Sequence, residues 1–149
     1  MMNVEEFYRN LTRMELKLKE ALNKDILIII GNEAVTQFKQ NFQTESFFGE
    51  QWKEVKRRQQ PVAKGAAGMR KILTGNTGNL GRSIQYKVGI ASVTVYSDVV
   101  YAKAHNEGTI SAGRRRSTTI PKRQFIGMHP KLSKAIENKI DMKLNEILR

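Results

Sequence analysis

The chain has 149 residues, 40% of them apolar, with 26 Lys plus Arg against 14 Asp plus Glu for a formal charge of +12. That length builds one domain with its own core and hardly two. The chain has no Cys and only two, widely separated His residues. Disulfides, thiolate nucleophiles and Cys-ligated zinc or iron–sulfur sites are thereby excluded, and no His-rich metal site is expected.

Asn3 is placed to cap a first helix, with Glu5 and Glu6 in the first turn, where the helix dipole favours acids. Val4, Phe7, Leu11, Met14, Leu18 and Ala21 recur at alternating spacings of three and four, a heptad stripe with charges between. Such a stripe faces either the core or a second subunit, and a core-facing helix is the simpler expectation. A second helix is expected over about residues 24–42. The run Ile26, Leu27, Ile28, Ile29, Ile30 would suit a buried strand, but Ile30, Ala34, Phe38 and Phe42 stand four apart and keep one face apolar, which decides for a helix. Gly31 inside it costs about 1 kcal/mol relative to Ala and implies a close helix contact. Phe47, Phe48 and Trp52, around Gly49, are expected to close a core.

Lys53, Lys56, Arg57 and Arg58, with Lys64 beyond, make the next stretch basic, and Pro61, Gly65 and Gly68 break regular structure. Gly75 and Gly78 raise the question of a phosphate loop. A P-loop needs Gly, four residues and then Gly-Lys-Ser/Thr, whereas Asn79, Leu80 and Gly81 follow Gly78. A turn into a short helix, capped by Thr77 or Asn79, is expected instead. Ile84, Tyr86 and Val88, then Val93 and Val95, alternate with polar or exposed positions around Gly89, the pattern of a two-stranded hairpin. Residues 101–108 read as a helical turn closed by Gly108. Residues 109–119 lack an apolar period and contain Arg114, Arg115 and Arg116, so a flexible basic loop is expected. Residues 120–127 read as an edge strand, because Pro121 cannot donate to a central ladder. After Pro130, Leu132, Ile136, Ile140, Leu144 and Leu148 recur every four residues, giving a terminal helix with one buried and one cationic face. The expected fold is α+β: N-terminal helices and a C-terminal helix packed on a small, mostly antiparallel sheet, as a single domain over residues 1–149.

The longest apolar run, residues 26–30, is far short of the ~18–20 residues that span a bilayer. Residues 1–6 carry no signal-peptide pattern, so a cytoplasmic protein without a membrane partner is expected. His105 and Glu107 diverge on a helix, His129 belongs to a helix start, and Asp98 with Glu107 are too few for a two-metal site. Neither enzyme activity nor a cofactor is expected, and His105 reads as structural. The charge is uneven. Residues 1–50 hold six basic against eight acidic residues, a balance of −2, and residues 51–149 hold twenty against six, a balance of +14. That skew concerns partners rather than fold. Nucleic acid is one such partner and an acidic protein another.

Three pieces stand in a characteristic order. Leu73, Thr74 and Gly75 lead into Thr77, Gly78, Leu80, Ser83 and Ile84; Tyr101, Ala102, His105 and Gly108 follow; Ile120, Pro121, Arg123, Phe125, Ile126 and Gly127 precede the last helix. With Phe47, Phe48, Gly49 and Trp52, this order resembles the phage virion morphogenesis family, the tail-completion proteins of tailed bacteriophages and prophages, over about residues 35–148. The resemblance implies a structural protein that completes or caps the tail at its head-proximal end and helps to join head and tail. It implies self-association as a ring, a hexamer being one expectation, with tail-tube and head-neck proteins as partners and non-specific contact with DNA. Its place would be the host cytoplasm during assembly and then the virion. Gly78, Leu80, Ser83, Ile84, Tyr101, Ala102, His105, Gly108 and Gly127 would form the structural framework. Arg114, Arg115, Arg116, Pro121, Arg123 and Phe125 would lie at a subunit or neck interface. A basic nucleic-acid-binding module is the alternative, although no zinc finger, RNP-type strand or convincing helix-turn-helix accompanies the charge.

Overall fold

The computed structural model describes residues 3–59 and 65–149; Pro61, where a break was expected, and the cation Lys64 lie outside them. Asn3 caps α1 (Val4–Glu20), its side chain accepting from Glu6 N at 2.8 Å. The two expected N-terminal helices are joined without interruption. A π-helical turn, Ala21–Asp25, leads directly into α2 (Ile26–Thr44). No Gly or Pro stands in that turn to stop the helix. Its inserted residue shifts the apolar stripe by roughly 100° between the two segments. The heptad stripe of α1 is not core-facing, contrary to expectation. No α1 residue is buried, and Val4 is 70% exposed, Phe7 47% and Leu11 45%.

Burial starts at Ala21 and continues along α2, where Ile26, Leu27, Ala34, Phe38 and Phe42 are buried. The helical reading of Ile26–Ile30 therefore holds. A Cβ on Gly31 would overlap the Tyr86 ring, so the close approach made there is to a strand rather than to another helix. Glu45, in the left-handed region at φ 52°, ends α2. Its carboxylate takes both Nη atoms of Arg58, at 2.6 and 3.0 Å, and the main-chain N–H of Ile72. The Arg58 hydrogen bond comes first among the causes that hold the Glu45 carboxyl below its ordinary value of 4.5, against the opposing effect of burial. A lowered folded-state pKa stabilises above the ordinary value and is lost as the pH falls through the folded value. Glu45→Gln is therefore expected to cost about 1–3 kcal/mol at neutral pH. In thermal melts the difference from the unaltered chain should shrink below pH 4.5.

Beyond Glu45, β1 (Ser46–Phe47) and β2 (Glu50–Gln51) form a tight hairpin through Phe48 and Gly49, at φ 51° and 105°. Phe47 and Trp52 close the core as expected, with the Trp52 and Phe125 rings 5.4 and 5.1 Å from that of Phe42. Three one-turn helices follow: α3 (Lys56–Gln59), α4 (Ala66–Met69) and α5 (Asn79–Arg82). The turn expected in place of a phosphate loop is present, but neither Thr77 nor Asn79 caps α5: Gly78 is its N-cap, without a side-chain cap bond, and Thr77 Oγ1 accepts from Asn79 N at 3.3 Å just ahead of it.

The expected hairpin forms from β3 (Ile84–Gly89) and β4 (Ser92–Ser97), paired from Ile84 opposite Ser97 to Gly89 opposite Ser92, and packs on α2. α6 (Ala102–Glu107) ends at Gly108. A Cβ on Gly108 would stand 2.8 Å from Lys122 N, and its φ is 76°. The structureless loop expected over residues 109–119 is instead a second hairpin. β5 (Thr109–Ala112) pairs with β6 (Thr118–Ile120), and Gly113 and Arg116 turn the chain at φ 81° and 50°. The β-branched residues Thr109, Ile110, Thr118, Thr119 and Ile120 carry that pairing. The expected edge strand over residues 120–127 ends at Ile120, and residues 121–127 are irregular. The strand pairs therefore form three separate two-stranded antiparallel sheets.

α7 (Pro130–Leu148) starts with Pro130 in its first turn and His129 Nδ1 accepting from Lys131 N at 3.1 Å. Leu132 is buried, Ile136, Ile140 and Leu144 are half-buried, and Leu148 is exposed. The core lies where α2, the β3 strand, the Phe47–Trp52 turn and the first turn of α7 meet around Phe125.

Candidate functional site

Residues 121–127 are held by side chains rather than by a ladder. Asn106 Oδ1 accepts from Phe125 N at 2.8 Å and Ile126 N at 2.9 Å, and its Nδ2 donates to Ile126 O at 3.1 Å. Asn41, buried on α2, donates to Phe125 O at 3.2 Å, and Trp52 Nε1 donates to Gln124 O at 2.7 Å. Buried main-chain groups need partners of this kind wherever no strand supplies them. This arrangement corrects two of the interface residues expected from sequence. Phe125 is 1% exposed and is packed inside the chain, while Arg123 is 7% exposed and reaches the surface at the wall of a cleft rather than on an open strand edge. Pro121 is half-buried, and Arg114, Arg115 and Arg116 stand exposed at the tip of the β5–β6 hairpin.

The framework residues are distributed as follows. Leu80, Ile84 and Ala102 are buried. Gly78 precedes α5 in the left-handed region at φ 64°. The Ser83 hydroxyl meets that of Ser97 at 2.7 Å, across the β3–β4 hairpin. A Cβ on Gly127 would overlap the Gln124 amide.

The three sequence motifs, far apart in the chain, converge on one cleft of about 360 Å³. Thr74, Asn76, Thr77 and Asn79 come from the first, Tyr101 and His105 from the second, and Arg123 from the third; Arg57 completes the wall. Arg123 donates through Nε to Lys53 O at 2.8 Å and through Nη2 to Glu54 O at 3.3 Å, while its own main-chain N–H donates to His105 O at 2.8 Å. His105 Nδ1 is buried without a hydrogen-bond partner. Burial first, and then the Arg123 charge, hold the His105 pKa below its ordinary 6.5. The Tyr101 ring stands edge-on to it at 5.9 Å. His105 and Glu107, weighed as an acid–base pair, share a helix, but only His105 lines this cleft.

A second surface, read from sequence as core, is the α1 stripe. Phe7, Leu11 and Met14 are exposed along one face, and only Leu18, near the junction with the body, is half-buried. The heptad spacing signalled a seam, but the sequence alone did not say that none of the described residues covers it. Among the described residues no group of three or more His, Asp or Glu side chains is placed to hold a metal ion. No helix among them is long and apolar enough to cross a membrane.

An uncovered apolar helix, an exposed arginine tip and a basic cleft framed by three motifs define a protein built around binding surfaces. The chain belongs to the phage virion morphogenesis family, whose family model matches residues 2–145. That family is structural and typically non-enzymatic, and it makes this chain a bacteriophage morphogenesis protein whose partners are virion proteins. Comparison with curated proteins and with solved structures gave no match.

Proposed function

We propose that the chain completes or caps the phage tail at its head-proximal end and helps to join head and tail, acting as a closed ring of its own copies. The observation that carries this reading is the uncovered heptad stripe of α1, with Val4, Phe7, Leu11 and Met14 between 38% and 70% exposed. Fully burying a side chain of this kind is worth about 1.5–3 kcal/mol, so a neighbour that covers the stripe gains several such increments. The half-covered face of α7, with Ile136, Ile140 and Leu144, is a suitable receiving surface on the next copy. A contact between two different faces is heterologous, and it closes into a ring when its rotation divides the circle. Tail-tube and head-neck proteins are the further partners, met in the host cytoplasm and retained in the virion. Light scattering over a range of concentrations, at low and high salt, tests the reading. A closed oligomer of about six that survives high salt supports it, and open-ended growth contradicts it.

The exposed Arg114, Arg115 and Arg116, on a chain of net charge +12, favour a second contact, with DNA passing the ring. Replacing all three with Ala is expected to impair virion completion while the circular dichroism and melting temperature stay unchanged. If these side chains meet phosphates, the log–log salt dependence of DNA binding should flatten by about three. Normal infectious yield from the triple variant would remove the hairpin tip from the function.

A further inference from the structure

Arg123 is an unusual cation for this chain. It is 7% exposed, yet among the described residues it forms no ion pair, and its side chain donates to the main-chain carbonyls of Lys53 and Glu54. Arg58 is more exposed and still takes a two-point pair with Glu45. The Glu54 carboxylate, whose charge reaches Arg123, is directed to Arg58 at 3.5 Å and to Val55 N at 2.7 Å. A buried guanidinium normally has a counter-charge, because removing it from water is costly. Around Arg123 the field is instead made more positive by Arg57 on the same cleft. The other polar side chains on that wall are hydroxyls, amides and the His105 imidazole, Val55, Leu73 and Leu80 supply its apolar part, and among the described residues no acidic one lines it.

We propose that this cleft receives the carboxylate of an acidic side chain presented by a neighbouring protein chain in the assembly, with Arg123 as its anchor. A planar guanidinium matches a carboxylate in two-point geometry. Arg123 Nη1 makes no hydrogen bond to a described residue, so the donor is free for such a partner. The His105 imidazole lines the same recess, with its Nδ1 buried and without a hydrogen-bond partner among the described residues. The shape favours a side chain over nucleic acid. A recess of about 360 Å³ admits a carboxylate on a flexible stem. A phosphodiester is flanked by sugars, and a duplex, with one charge per ~1.7 Å of axis, is bound by cations spread along it rather than gathered in one recess. The proposal rests on the reading of the chain as an assembly protein and not on ring closure.

The test uses the unaltered chain. The imidazole of His105 is titrated by NMR in chloride, acetate, inorganic phosphate, or a short DNA duplex, at equal ionic strength. The charge that lowers the His105 pKa is that of Arg123; Arg57 lines the same cleft, and the Tyr101 ring stands edge-on to the imidazole. An anion on Arg123 offsets that positive field. Acetate should therefore raise the His105 pKa saturably by about half a pH unit or more. The amides of Thr77 and Asn79 should move with it, while those of α1, outside the cleft, stay in place. A response to phosphate in addition to acetate supports the site, since both present oxyanions. A response to phosphate or DNA but not to acetate overturns the carboxylate assignment, and no response to any of them overturns the site. A monomer in light scattering, which would count against ring closure, leaves the acetate response in place, so the two readings fail separately.

Discussion

A chain carrying Phe7→Glu together with Leu11→Glu is expected to lose self-association while keeping its melting temperature. Both side chains lie on the exposed α1 stripe, at 47% and 45% exposure, and neither contributes to the core. Surface substitutions of this kind usually change stability by no more than about 0.5 kcal/mol. Covered by a neighbour, the same positions would each bury an unpaired carboxylate in place of an apolar group. The pair should then cost about 3–5 kcal/mol per contact, a loss of roughly two to four orders of magnitude in affinity. Light scattering and a thermal melt on the same sample separate the two effects. If the variant keeps the mass of the unaltered chain, the stripe is not the seam. If the melting temperature falls as well at a concentration where both are monomers, α1 packs on its own chain more closely than its exposure shows.

Phe125→Ala is expected to have the opposite signature. Phe125 is 1% exposed, in ring contact with Phe42, and its main chain is bonded to Asn41 and Asn106. Truncating a buried Phe costs about 3–5 kcal/mol, through lost transfer energy and the cavity left behind. In urea the midpoint should fall with the slope unchanged, and any change in oligomer mass should follow the loss of folded chain. An interface role for Phe125, expected from its motif, would instead weaken association and leave the midpoint alone.

These two residues show what could be read without coordinates. The periodic signals carried well. The spacing of Ala34, Phe38 and Phe42 marked the buried face of α2, the alternation around Gly89 marked the β3–β4 hairpin, and Asn3, Gly108 and Pro130 marked element ends. Each depends on residues close in sequence, where local geometry decides the outcome. The segment 120–127 misled because its Pro121 and its apolar residues suit an edge strand. Its backbone is in fact satisfied by Asn41, Trp52 and Asn106, which lie 19–84 positions away in the chain. Residues 109–119 misled for the reverse reason. The arginines at the turn masked two short β-branched runs that pair only with each other.

The sequence by itself determined the α+β class, the places of the helices and of the first long hairpin, the net charge, and the family, because helical and strand periods, caps and motif order are local or linear properties. The tertiary structure alone decided which apolar residues remain uncovered and which cations lack a counter-charge. Periodicity shows that a face is apolar, as in α1, but whether anything in the chain covers that face depends on the path of the whole chain. Likewise a lone Arg in a motif becomes a buried guanidinium only when Lys53, Glu54 and His105 are brought around it from distant positions.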